Sequence, residues 1–199
     1  MEDIKPTARL GIDFGRVIMG AADADGRADT SFLSGGEARA METSAEPGSF
    51  ETIRSLCIHL DRKVWIVSKC GARIERRTRR WLDHHSFFDR TGVPRENLRF
   101  CRERREKKIH CRDLGITHFI DDRMDVLTHL RGLVPNLYWF GAETLKKPAP
   151  KWVTPVADWS AVRSALLGRK ADELGLNVVS KPDSVGRPIE AVSRDHHRS

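Results

Sequence analysis

The chain has 199 residues, 39% hydrophobic and 32% charged, with a formal net charge of +7. That length and apolar content suit one domain with a substantial core plus a tail. No stretch approaches the ~18–20 apolar residues needed to cross a bilayer, and the first apolar run, broken by Asp13 and Arg16, is too short for a signal peptide.

The charge is unevenly spread. Between Arg54 and Arg112 eighteen Lys/Arg stand against seven Asp/Glu, so this segment carries an excess of eleven positive charges and the remainder is net acidic. Such a field favours a phosphate ester, a nucleotide or a nucleic acid; solvated charge on helix faces explains the same arginines. The four cysteines, Cys57, Cys70, Cys101 and Cys111, have no CxxC spacing. A cytoplasmic protein with reduced thiols is expected.

In chain order, a short apolar strand runs to about Asp13. An Asp25-Gly26 turn between short arms then predicts a hairpin over 21–30. Gly35, Gly36, Pro47 and Gly48 mark a polar loop before a helix from Ser49, read as its N-cap, to Leu60. Val64 to Val67 forms a second strand, followed by an Arg-rich helix that buries Ile74, Trp81 and Leu82. Leu98 to Cys101 is a third strand, and a helix from about Arg105 to Leu114 stops at Gly115. Ile116 to Asp121, a helix over Met124 to Leu130, and the strand Leu137 to Phe140 follow. Asp158 to Leu167 forms a closing helix, and from Arg169 the charged sequence reads as a flexible tail, giving a domain over 1–168 and a tail over 169–199. Alternating strands and helices predict an α/β fold: three layers, α/β/α, Rossmann-like, with a mainly parallel five-stranded sheet and a small hairpin flap.

Three predicted strands end on polar residues: Asp13, Ser68, and the pair Asp121-Asp122, with Lys107 preceding the last. In an open parallel sheet, ligands bind beyond the carboxyl ends of the strands, where strand order reverses. Taken singly, an aspartate there is more often a cap or turn residue. Together, Asp13, Ser68, Lys107 and Asp121/Asp122 resemble the four motifs of the haloacid dehalogenase (HAD) superfamily.

The resemblance implies that Asp13 is a nucleophile that forms an aspartyl-phosphate. It implies that Ser68 and Lys107 bind phosphate, and that Asp13, the Gly15 carbonyl, Asp121 and Asp122 hold Mg²⁺. HAD phosphatases have a second aspartate where this chain has Gly15; it serves there as proton donor. The expected function is Mg²⁺-dependent phosphohydrolase or phosphotransferase action on a phosphorylated small molecule or nucleotide. Two alternatives stand beside it: an impaired HAD domain that binds a phosphorylated ligand or partner, and a nucleic-acid-end phosphatase using the Arg-rich segment. If hydrolysis persists without that aspartate, the leaving group needs no proton, or another group replaces the acid, with Asp23, Asp25 and Arg16 as candidates. The stretches between the motifs leave no room for a sizeable cap.

Overall fold

The structure is a computed structural model that describes residues 4–5, 7–20, 31–146 and 148–168. The expected hairpin over 21–30 and the tail from 169 lie outside the described residues. Among the described residues six strands form one sheet: β1 (Leu10–Ile12), β2 (Val64–Lys69), β3 (Leu98–Cys101), β4 (His118–Asp121), β5 (Asn136–Phe140) and β6 (Thr154–Val156). Their order is β3-β2-β1-β4-β5-β6 and every neighbouring pair is parallel. The five-stranded expectation is corrected to six. The added strand is three residues long and contains Pro155, which only an edge position tolerates.

Residue parity sorts the core into two layers, because successive strand side chains point to opposite faces. Leu10, Ile12, Val64, Ile66, Ile120, Tyr138 and Phe140 join one apolar cluster. Helices α3 (Ser49–His59), α4 (Ala72–His84), α5 (Phe87–Thr91) and α8 (Trp159–Leu167) fill that side. Trp65, Val67, Phe119, Leu137 and Trp139 join the other cluster, with α6 (Lys107–Asp113) and α7 (Met124–Leu130). The result is a helix–sheet–helix sandwich. Gly11 is required where β1 meets this second layer, since a Cβ there would stand 2.4 Å from the Phe119 ring.

Short helices escaped the sequence pattern. Between β1 and β2 lie α1 (Ser31–Ser34) and α2 (Glu37–Met41), where only a polar loop was expected. Four or five residues are too few to display a helical period. Ser49 is the first residue of α3 rather than its N-cap; Gly48 holds that position at φ 75. Asp158 does cap α8, its carboxylate accepting from the Ala161 amide at 2.8 Å. Among the described residues no helix is long and apolar enough to cross a membrane.

Candidate active site

Strand order reverses its direction of growth beside β1: β2 and β3 lie on one side, β4 to β6 on the other. That switch point opens a crevice past the carboxyl ends of β1 and β4. Ile12 pairs with Ile120, so Asp13 and Asp121 follow side by side, tied by the Asp13 amide donating to the Ile120 carbonyl at 2.9 Å.

Lys107 reaches between them from α6. A turn over Arg104–Glu106, closed by a reciprocal capping box of Glu103 and Glu106, leads the chain into that helix. Lys107 is the first helical residue and turns inward, whereas Lys108 is exposed. Its Nζ donates to Asp13 Oδ1 at 2.5 Å and to Asp121 Oδ2 at 2.7 Å, and only 2% of its side chain is exposed. Burial alone would depress the lysine, but the charges of Asp121 and Asp13 outweigh it and hold the ammonium above its ordinary pKa. Asp121 is wholly buried; desolvation raises its carboxyl even against the pull of Lys107. Its second oxygen accepts from the Arg123 amide at 2.9 Å.

Asp122 turns to the other side, where Arg16 lies 3.8 Å from its Oδ2 and the Trp139 indole donates to its carbonyl at 3.2 Å. Burial first, then the charge of Asp13, pushes Asp122 up to about 6, opposed by Arg16 and Arg123. Carboxylate oxygens of Asp13, Asp121 and Asp122 all lie within 4.8 Å of one another. Three carboxylates against Lys107 and the longer Arg16 pair leave a local deficit of positive charge. A hard divalent cation matches both that deficit and an all-oxygen donor set.

Asp13, Gly15, Ser68, Lys107 and Asp121 line one cavity of about 300 Å³. Ser68 is buried near the end of β2, as expected for a hydroxyl facing the site. The cavity continues between Phe32, Leu33, Ile74 and Thr78. The Thr78 hydroxyl is buried with no hydrogen-bond partner among the described residues. Cys70 also lines it, but burial raises its thiol to about 11, so no thiolate nucleophile is available near neutrality. A wider cleft of about 1030 Å³ adjoins on the Asp122 side, bounded by Arg16, Trp139, Phe140 and Trp159.

The fold is haloacid dehalogenase-like. The chain is similar to a crystal structure assigned as a haloacid dehalogenase-like hydrolase from Burkholderia xenovorans LB400, with TM-score 0.53 and 12% identity over 87% of this chain and 99% of that one. A HAD family hydrolase from Deinococcus radiodurans R1, solved with bound phosphate and sodium, aligns with TM-score 0.47 and 14% identity over 86% of this chain and 97% of that one. No family model and no curated protein matches the chain.

Within this HAD-like fold, Asp13, Ser68, Lys107 and Asp121 share one cavity, while Asp122 faces the neighbouring cleft. His84 and His85 are absent from it; His85 bonds the Met41 carbonyl at 2.9 Å against Trp81. Asp23 and Asp25 lie outside the described residues. Sequence reasoning missed Thr78, which no pattern distinguishes, and Arg123, whose place directly after two strand-end acids was a usable signal. Several arginines of α4 are committed internally. Arg73 donates to the Leu33 carbonyl, buried Arg77 to those of Phe32 and Gly35, and Arg80 to Glu37. They fasten α2, and α1 with its cavity-lining Phe32 and Leu33, to α4.

Proposed function

We propose that the protein is a Mg²⁺-dependent phosphohydrolase or phosphotransferase that acts through Asp13 on a phosphorylated small molecule or nucleotide. The observation that carries this is the bridge from Lys107 to both Asp13 and Asp121 at the switch point, with Asp122 completing an acidic group of three. Asp13 has one oxygen held by Lys107, which orients the carboxylate for attack on phosphorus. Ser68 donates its hydroxyl to a phosphoryl oxygen, and Lys107 offsets charge on nucleophile and phosphate together. Asp13, Asp121, Asp122 and the Gly15 carbonyl would hold Mg²⁺, which supplies charge neutralisation and orientation of the phosphoryl group. The 300 Å³ cavity suits the phosphoryl group, and the adjoining cleft suits the body attached to the leaving oxygen.

Gly15 favours a second reading, in which the domain binds a phosphorylated ligand without efficient turnover. The glycine is not there for conformational reasons: a Cβ would meet nothing within 4 Å and its φ is not left-handed. A third reading, a nucleic-acid-end phosphatase, draws only on arginines left over from the internal contacts of α4. Incubation with Mg²⁺ and p-nitrophenyl phosphate, beside Asp13→Asn, tests the first reading. Asp13-dependent phosphate release supports it; equal rates for both proteins remove Asp13 as nucleophile. Tight phosphate binding without release favours the second.

A further inference from the structure

The turn after β1 places its glycine one residue away from its backbone demand. Residues 14–19 close on themselves: the Ile18 and Met19 amides both donate to the Phe14 carbonyl at 3.0 Å, and Gly15 bridges Met19. Inside that loop Gly15 has an ordinary φ and open space. Arg16 instead adopts φ 61, the left-handed region that L side chains enter at a cost and glycine enters freely. Packing does not repay the strain. The Arg16 side chain is 64% exposed, and its ion pair to Asp122 is long, at 3.8 Å. A residue that glycine would replace without strain, held where it contributes little to stability, points to use.

Its position suggests the use. The guanidinium stands 3.8 Å from an Asp122 oxygen, and that carboxylate lies within 4.8 Å of the Asp13 carboxylate. Arg16 thus stands one carboxylate away from Asp13, and its long, exposed side chain can turn toward a phosphoryl group seated there. Arg16 also lines the wider cleft beyond Asp122, an exit for a leaving group. Guanidinium remains charged at every working pH and offers several donors, so it holds a forming anion without surrendering a proton.

We propose that Arg16 is a catalytic residue that binds the leaving-group oxygen as negative charge builds on it, in place of the proton donor that Gly15 does not supply. This rests on the phosphohydrolase reading. In the first step an Asp13 oxygen forms a bond to phosphorus while the bond from phosphorus to the leaving oxygen breaks. That oxygen departs with the electron pair, paired with Arg16, and takes a proton from water afterwards. In the second step water attacks the aspartyl-phosphate, its oxygen bonding to phosphorus, its proton going to solvent, and Asp13 leaving as carboxylate. Charge on the departing oxygen is greatest for poor leaving groups, so the effect of Arg16 must grow with leaving-group basicity.

The test compares the full chain with Arg16→Gly, Arg16→Asn and Arg16→Lys, in Mg²⁺, on acetyl phosphate and phenyl phosphate, with thermal melts alongside. Asparagine tolerates left-handed backbone and guards against a folding artefact in the glycine variant. Arg16→Gly and Arg16→Asn should lose roughly 10²-fold in kcat/KM on phenyl phosphate, and less than about 5-fold on acetyl phosphate, whose carboxylate departs without help. Arg16→Lys should recover part of the loss. Relief of strain should raise the melting temperature of Arg16→Gly by about 2–4 °C. Equal losses on both substrates, no loss, or a lower melting temperature for both variants would overturn the proposal. If the parent shows no Asp13-dependent turnover of either substrate, the phosphohydrolase reading itself fails and this inference goes with it.

Discussion

Replacing Lys107 with methionine isolates the ion cluster from everything else in the site. Methionine keeps most of the side-chain volume, so the perturbation is loss of one ammonium rather than loss of packing. That ammonium is 2.5 Å from Asp13 and 2.7 Å from Asp121, in a pocket where Lys107 is 2% exposed and Asp121 is not exposed at all. Without it, Asp121 keeps only the Arg123 amide and faces the Asp13 carboxylate. Removing one partner of a buried pair strands a charge and costs about 3–5 kcal/mol, a large share of the roughly 5–15 kcal/mol that holds a domain folded. Urea unfolding at pH 8 in EDTA, followed by tryptophan fluorescence, should show the midpoint falling by about 1–2.5 M, given a slope of roughly 2–3 kcal/mol per molar. Adding Asp121→Asn removes the stranded charge while leaving an acceptor for the Arg123 amide. The double variant should therefore recover about 2 kcal/mol relative to Lys107→Met, a coupling that distant sites do not show. A loss below about 1 kcal/mol, or strict additivity in the double variant, would refute the claim that this cluster is desolvated.

Two further substitutions probe the chemistry and the sheet. Gly15→Asp introduces a carboxylate where a Cβ meets nothing within 4 Å; phosphate-release assays on an alkyl ester should show a gain of about 10²-fold, and no gain would remove the missing-acid account. His118 stacks on Tyr138, and burial pushes its ring down to about 4 from an ordinary 6.5. A lowered folded-state value means the stability it confers is complete above about 6.5 and drains away as pH falls toward about 4. Between pH 7.5 and 5 the parent should lose about 1 kcal/mol more than His118→Phe, the figure being reduced for partial exposure; parallel pH profiles in chemical denaturation would contradict this.

Much of the site was readable because its residues interrupt apolar runs. Asp13, Ser68 and Asp121 each end a stretch of buried strand residues, and a polar group in that position is conspicuous in one dimension. Of the two adjacent lysines, Lys107 enters the core and Lys108 faces solvent, a choice made by the helix start. The short helices and the last edge strand were not readable: α1, α2 and α5 have four or five residues, too few for a helical period to emerge, and β6 has three, one of them a proline. The Arg-rich segment was readable only in part, for a different reason. Its charge is visible in sequence, but the carbonyls of Phe32, Leu33 and Gly35 that absorb part of it come from a distant segment.

The sequence by itself determined the alternating α/β pattern, the strand-end acids and the absence of a carboxylate at position 15, because these are local properties of residue type and order. Only the tertiary structure decided that Asp13 and Asp121 share one ammonium, that Arg77 is a buried clamp rather than a free cation, and that Arg16 bears the left-handed strain Gly15 escapes. Those depend on parallel register and loop closure, which bring together groups up to 94 residues apart and are written in no single stretch of the chain.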